Sequence, residues 1–190
     1  MTLQMALAFL CEYALHLTRL NTDMIYIHQD SGLMNVSYFK FDINDEKEEL
    51  EHSRPVPFRL TPNIAEFLTN IGISGPLSAA IIATARCLVH PNYKLQSILR
   101  TILRDEIIAL HKKRMRDNKP IDSMEDGTTD ANTTEIMIRL VNKAVNAILN
   151  RLTAISYFDN IESKKISILL QQATNHDNLC RMDPAWHPWL

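Results

Sequence analysis

Residues 55–64 read PVPFRLTPNI, and the pattern of the chain changes across them. Pro55 and Pro57 hold the backbone extended, because each proline locks its own φ and biases the residue before it toward the β region. Thr61-Pro62 then suits a helix N-cap followed by proline at the first helical position, with a short helix to about Leu68. Upstream of this stretch the chain carries its only strand-like pattern. Downstream every periodic segment is helical.

Residues 24–43, MIYIHQDSGLMNVSYFKFDI, are rich in β-branched and aromatic residues around an Asp30-Ser31-Gly32 turn, which predicts a β-hairpin. The following DINDEKEELEHSRP is acidic and polar and reads as an exposed loop. Before the hairpin, Leu3, Ala6, Leu7, Leu10, Ala14, Leu17 and Leu20 recur at helical spacing. The chain starts inside this element, as a fragment of something longer would. The stretch also lacks the basic start and small-residue cleavage site of a signal peptide, and it carries Glu12 and His16.

After Leu68, Ser74-Gly75-Pro76 opens a helix to about Val89, which Pro91 ends. A further helix spans 94–114, with Leu95, Ile98, Leu99, Ile102, Leu103, Ile107 and Leu110 on one face. Residues 117–132 hold almost no apolar surface and read as loop or disorder. Asn132-Thr133-Thr134-Glu135 is close to a capping box and opens a helix from Glu135 to about Ile155. Its stripe is Met137, Val141, Ala144, Val145, Ile148, Leu152 and Ile155. A last helix covers roughly 163–173. The expected architecture is mostly α with one hairpin.

Composition narrows the chemistry. The 190 residues are 46% apolar, and no run approaches the roughly 18 to 20 apolar residues of a membrane span. Net charge is −2, so no global field draws the chain to nucleic acid or membrane. Only four glycines occur, Gly32, Gly72, Gly75 and Gly127, so no GxGxxG or GxxxxGK[ST] phosphate loop exists. Cys11, Cys87 and Cys180 are odd in number and far apart, which fits a reducing compartment and no disulfide framework. The histidines show neither HExxH nor zinc spacing, so no metal or cofactor is expected. GISGP at 72–76 lacks the last glycine of a nucleophile elbow and reads as a helix start. The basic run His111–Arg116 suits the negative end of a helix dipole. Residue pattern alone describes a helical module without a catalytic constellation.

Two stretches add more. PVPFRLTPNI resembles the segment after the activation loop of phosphatidylinositol-3-kinase-related kinases. The tail ISILLQQATNHDNLCRMDPAWHPWL resembles the FATC domain that closes those proteins, through Leu169, Ala173, Asn178-Leu179, Met182, Trp186, Pro188 and Trp189. The hairpin stands where that family keeps its catalytic and metal-binding loops. The resemblance therefore implies the C-terminal lobe of a protein/lipid-kinase-like fold over 1–156, without its N-terminal lobe, followed by a helical FATC tail over 157–190.

Active members carry a D-R-H-x-x-N loop and, across the hairpin, an Asp that binds metal. By spacing from Gly32, the D-R-H positions fall on Arg19, Leu20 and Asn21, and the Asn position on Met24. The metal-binding Asp belongs near Ser37 to Phe39, yet Leu33 to Phe41 contains no acid. Asp23 and Asp42 lie nearby, but no shift of register supplies all three groups. Within the kinase family, HLTRLNTDM, NVSYFKFDIND, RPVPFRLTPNI, LRDEII and DNLCRMDPAWHPWL are similar to the transformation/transcription-domain-associated protein (TRRAP) family of large pseudokinases. Asp183 and Ala185 stand where the active kinases usually show an aromatic residue and a glycine.

That resemblance implies a catalytically silent nuclear scaffold, without cofactor, in a co-activator that works within histone acetyltransferase complexes and contacts transcription activators. It implies no direct contact with nucleic acid or membrane. The tail residues Leu179, Met182, Trp186, Pro188 and Trp189 would brace the lobe, each tryptophan contributing about 2 to 3 kcal/mol if buried. A fragment of an active kinase and a stand-alone helical adaptor are the alternatives.

Overall fold

The computed structural model describes residues 2–18, 24–36, 40–44, 49–50, 54–69, 73–117, 130–156 and 164–182. Helix α1, Thr2–Leu15, buries Met5, Ala6, Phe9, Leu10 and Ala14. It stops short of the expected Leu20, because His16 takes a left-handed conformation at φ 49°. A non-glycine residue there strains the backbone by about 1–2 kcal/mol. Tertiary contacts hold the turn: His16 is buried, and its carbonyl accepts the Asp42 N–H at 2.7 Å.

The chain then enters strand β1, Leu17–Thr18, and the hairpin of β2, Ile25–Ile27, and β3, Met34–Val36. The hairpin register pairs Ile25 with Val36, Tyr26 with Asn35 and Ile27 with Met34. Its turn has Gly32 at φ 63°, a backbone state glycine adopts without a Cβ penalty. Strand β4, Lys40–Phe41, returns to pair with β1, while β5, Ile43–Asn44, pairs with β6, Glu49–Leu50. The expected hairpin therefore stands beside two further short antiparallel pairs. The β5–β6 pair places Ile43–Asn44 and Glu49–Leu50, within the expected exposed loop, in a short ladder, while 45–48 and 51–53 lie outside the described residues. Its anchor is Leu50, which is buried in the core, and the Glu49 carboxylate pairs with Lys143.

Residues 55–61 form no strand, in contrast to the extended run expected, and bend over 55–58, with Val56, Phe58, Arg59, Leu60 and Thr61 buried. Helix α2, Pro62–Thr69, follows as expected. A wide π-type turn over Ile73–Leu77 leads into α3, Ser78–Val89. Pro76 sits inside that first turn, where a missing N–H costs no helical bond. A 3-10 turn at Pro91–Tyr93 and a left-handed Lys94 separate α3 from α4, Leu95–Asp117.

Helix α5 runs Asp130–Ser156, so it begins ahead of the expected capping box. Residues 118–129, the bulk of the stretch read as loop, lie outside the described residues. Helices α6, Lys164–Thr174, and α7, His176–Leu179, close the described chain. Short α7 was not anticipated. Asn175 caps it, its side chain accepting the Asn178 N–H at 3.1 Å.

Helix α3 packs on both α1 and α5, α1 also meets α5, and α4 packs chiefly on α5. All seven stripe residues of α5 are buried. On α4 only Leu99, Leu103 and Ile107 are, so its apolar face is narrower than the spacing implies. Ile98 and Ile102 are exposed. One continuous core joins α1, the Val56–Leu60 segment, α3, α5, α6 and Leu179 of α7. Among the described residues no helix is long and apolar enough to cross a membrane.

Candidate functional site

Arg19, Leu20 and Asn21 lie outside the described residues, as do Ser37 to Phe39. Met24 is half-buried just before β2. Its thioether is a soft ligand and holds no Mg²⁺, which takes oxygen donors. Asp42, the acid that follows the hairpin, is already engaged. Its Oδ2 accepts from Arg54 Nη2 at 2.6 Å and Nε at 3.2 Å. Among the described residues no group of three His, Cys, Asp or Glu is placed to hold a metal ion.

Beside this ion pair lies a buried polar node that the residue pattern did not single out. Glu12 of α1 is only 2% exposed, and its Oε2 accepts the backbone N–H of Arg59 at 2.8 Å. Arg59 is itself 2% exposed. Burial pushes the Glu12 carboxyl up to about 7, while the Arg59 N–H and the charges of Arg54 and Arg59 pull it down. Burial likewise lowers Arg59, opposed by Glu12. From α5, Arg151 Nη1 donates to the Ala14 carbonyl at 3.1 Å, satisfying an acceptor in the last turn of α1. The node ties three separate parts of the chain: α1, the Arg54–Thr61 segment and α5.

Next to it, Phe58 stacks on Phe9 with ring centroids 4.9 Å apart and planes 15° from parallel. Ile166 and Leu169 of α6 border one small cavity with this pair and with Leu10, Ile81 and Ile155. The segment that decides the fold is thus also the seat of the C-terminal helix. Phe58 faces α6, and Arg59 holds α1.

Residues 165–190 match the family model of the FATC domain. Over all 190 residues the chain is 68% identical to Transcription-associated protein 1 of Drosophila melanogaster. It is 53% identical, again over its whole length, to the human Transformation/transcription domain-associated protein. The SAGA complex/NuA4 acetyltransferase complex subunit Tra1 of Schizosaccharomyces pombe is 32% identical over 71% of the chain. The chain belongs to the transformation/transcription domain-associated protein family. It spans 5% of the length of the fly and human proteins and 3% of the fission-yeast one.

Within this TRRAP-family chain the FATC residues divide into two groups. Leu169, Ala173 and Leu179 are buried in the shared core, and Met182 packs half-buried against it. Trp186, Pro188 and Trp189 lie outside the described residues. Glu12, Arg54, Arg59 and Phe58 are what reading by motif missed. A signal for Phe58 existed, because Val56, Phe58 and Leu60 alternate like a half-buried strand. No comparable signal marks Glu12: a lone acid on an apolar helix reads equally well as its polar side.

Proposed function

We propose that this chain is the C-terminal pseudokinase lobe and FATC end of a TRRAP-type nuclear scaffold, working by packing and protein contacts without phosphoryl transfer. The lobe takes in residues 1–156 and the FATC unit residues 157–190. Whole-length identity to two proteins named for transcription, and 32% identity over 71% of the chain to one named as an acetyltransferase complex subunit, carry the reading. The chain's own chemistry supports silence at the catalytic positions: Arg19, Leu20, Asn21 and Met24 replace acid, base-positioning and metal-binding groups. Asp42, the acid that follows the hairpin, is paired with Arg54. Leu179, Met182, Trp186, Pro188 and Trp189 brace the lobe from the FATC side. The full-length protein meets acetyltransferase subunits and transcription activators.

Affinity purification of the native protein tests this directly. Recovery of acetyltransferase subunits supports the scaffold, and recovery of none overturns it. A nucleotide-binding assay tests catalytic silence. Mg²⁺-dependent ATP binding at micromolar affinity, lost on Asp23→Asn or Asp42→Asn, would overturn the pseudokinase reading.

A further inference from the structure

We propose that the slot between α4 and α5 is a docking site for a short amphipathic helix bearing carboxylates. Helix α4 is held chiefly by the buried Leu99, Leu103 and Ile107, with Ile108 half-buried at the edge of that contact. Its next flank carries Arg100, Arg104 and Ile108, one helical turn apart in succession. Across from them Met137, Ile138 and Val141 of α5 complete an open slot of about 250 Å³. An apolar cavity of about 150 Å³ takes a benzene-sized group, so this slot has room for two apolar side chains. Ile138 stands at its edge 58% exposed, an apolar cost the fold itself does not require.

Charge identifies the occupant. Helix α4 carries six Lys and Arg against three Asp and Glu, in a chain whose net charge is −2. Arg100 and Arg104 border the slot, and no acidic residue does; their stems belong to its apolar wall and their charged heads to its rim. Arg104 Nε reaches Asp105 Oδ1 at 3.3 Å, but both side chains are mostly exposed. Such a pair is worth little, and a ligand carboxylate displaces it at small cost. Arg100 and Arg104 lie one turn apart, so acids one turn apart on a partner helix meet both while its apolar face enters the slot. Nucleic acid fits less well, because the lining offers no aromatic ring to stack a base and its floor is apolar. The slot shares no residue with the Glu12 node or the FATC seat, so it stands whether or not the scaffold reading does.

The test uses the full-length protein in its native assembly. The probe is a labelled helix-forming peptide of about 16 residues. It has leucines on one face and flanking glutamates, and its counterpart carries lysine for glutamate. The glutamate probe binds at least about tenfold tighter than the lysine counterpart. Arg100→Glu with Arg104→Glu weakens it by at least about tenfold, and Ile138→Ala by about fivefold. Lys165→Glu, on exposed α6 surface, leaves the affinity unchanged. Should the double reversal unfold the protein, Arg100→Gln with Arg104→Gln serves, with the same direction of effect. Equal binding of the two probes, or indifference to both the arginine and the Ile138 changes, overturns the proposal. So does absence of binding up to about 1 mM probe. Displacement by duplex DNA with no effect of Ile138→Ala marks a nucleic-acid patch and overturns it too.

Discussion

Glu12 is an acid inside an apolar helix face, where its charge is costly and its position is set by one backbone N–H from Arg59. Its carboxyl rises to about 7 from an ordinary 4.5, because desolvation outweighs the nearby guanidiniums. Between those two values the native state holds a proton that the unfolded chain has released. This group's stabilising contribution is therefore fully present below pH 4.5 and is lost as pH rises through 7. The full loss is about 3 kcal/mol, of which about 2 kcal/mol falls between roughly pH 5.5 and 8. Glu12→Gln keeps the neutral form at every pH. Denaturant midpoints should fall more steeply over that range in the wild type than in the variant. Parallel pH profiles would show that Glu12 does not hold its proton in the fold. At Gly32 the reasoning is purely conformational. No atom lies within 4 Å of an added Cβ, but φ is +63°. Gly32→Ala should cost about 1 kcal/mol, read as a lower thermal midpoint.

At the scale of elements, the long helices were legible because their apolar residues recur at helical spacing. The seven-residue stripe of α5 is buried in its entirety. The two-residue strands were not legible, since a period of two cannot be recognised in two residues. Their positions come from elsewhere: β1 pairs with β4 once His16 turns the chain, and β5 pairs with β6 because Leu50 is drawn into the core. The positions proposed for the lost catalytic loop come only from resemblance, by their spacing from Gly32. The polar node at Glu12 has no local sequence signature at all. Helix α7 was missed because four residues carry no periodicity. Yet its Leu179 is 1% exposed, so Leu179→Ala should destabilise the protein by about 2–4 kcal/mol in a denaturant titration. Truncation after Asp183 tests the bracing assigned to Trp186, Pro188 and Trp189. A lower unfolding midpoint and reduced partner recovery are expected. Unchanged values in both would remove those three residues from any structural role.

For the whole molecule, the decisive matter is whether the FATC end is a separate body or part of the lobe. The contacts favour one body. Ile166 and Leu169 belong to the same buried cluster as Phe9 and Leu10 of α1, Phe58 of the 55–61 segment, Ile81 of α3 and Ile155 of α5, and border one small cavity with them. A helix whose buried side chains belong to this common cluster cannot leave without exposing the cluster, and losing such packing costs several kcal/mol. Marginal total stability then makes departure of α6 equivalent to unfolding of the whole. Leu169→Ala, which removes volume at this junction, should lower one shared transition instead of creating a second. Hydrogen exchange offers the sharpest reading. Amides of α6 and of α3 should open with the same free energy, and Leu169→Ala should reduce both equally, by about 2–4 kcal/mol. Early opening of α6 with α3 unaffected would mean that the FATC end is merely attached. Equal loss would mean that Phe58, in the segment between hairpin and helices, joins a lobe without kinase groups to the domain that completes its core.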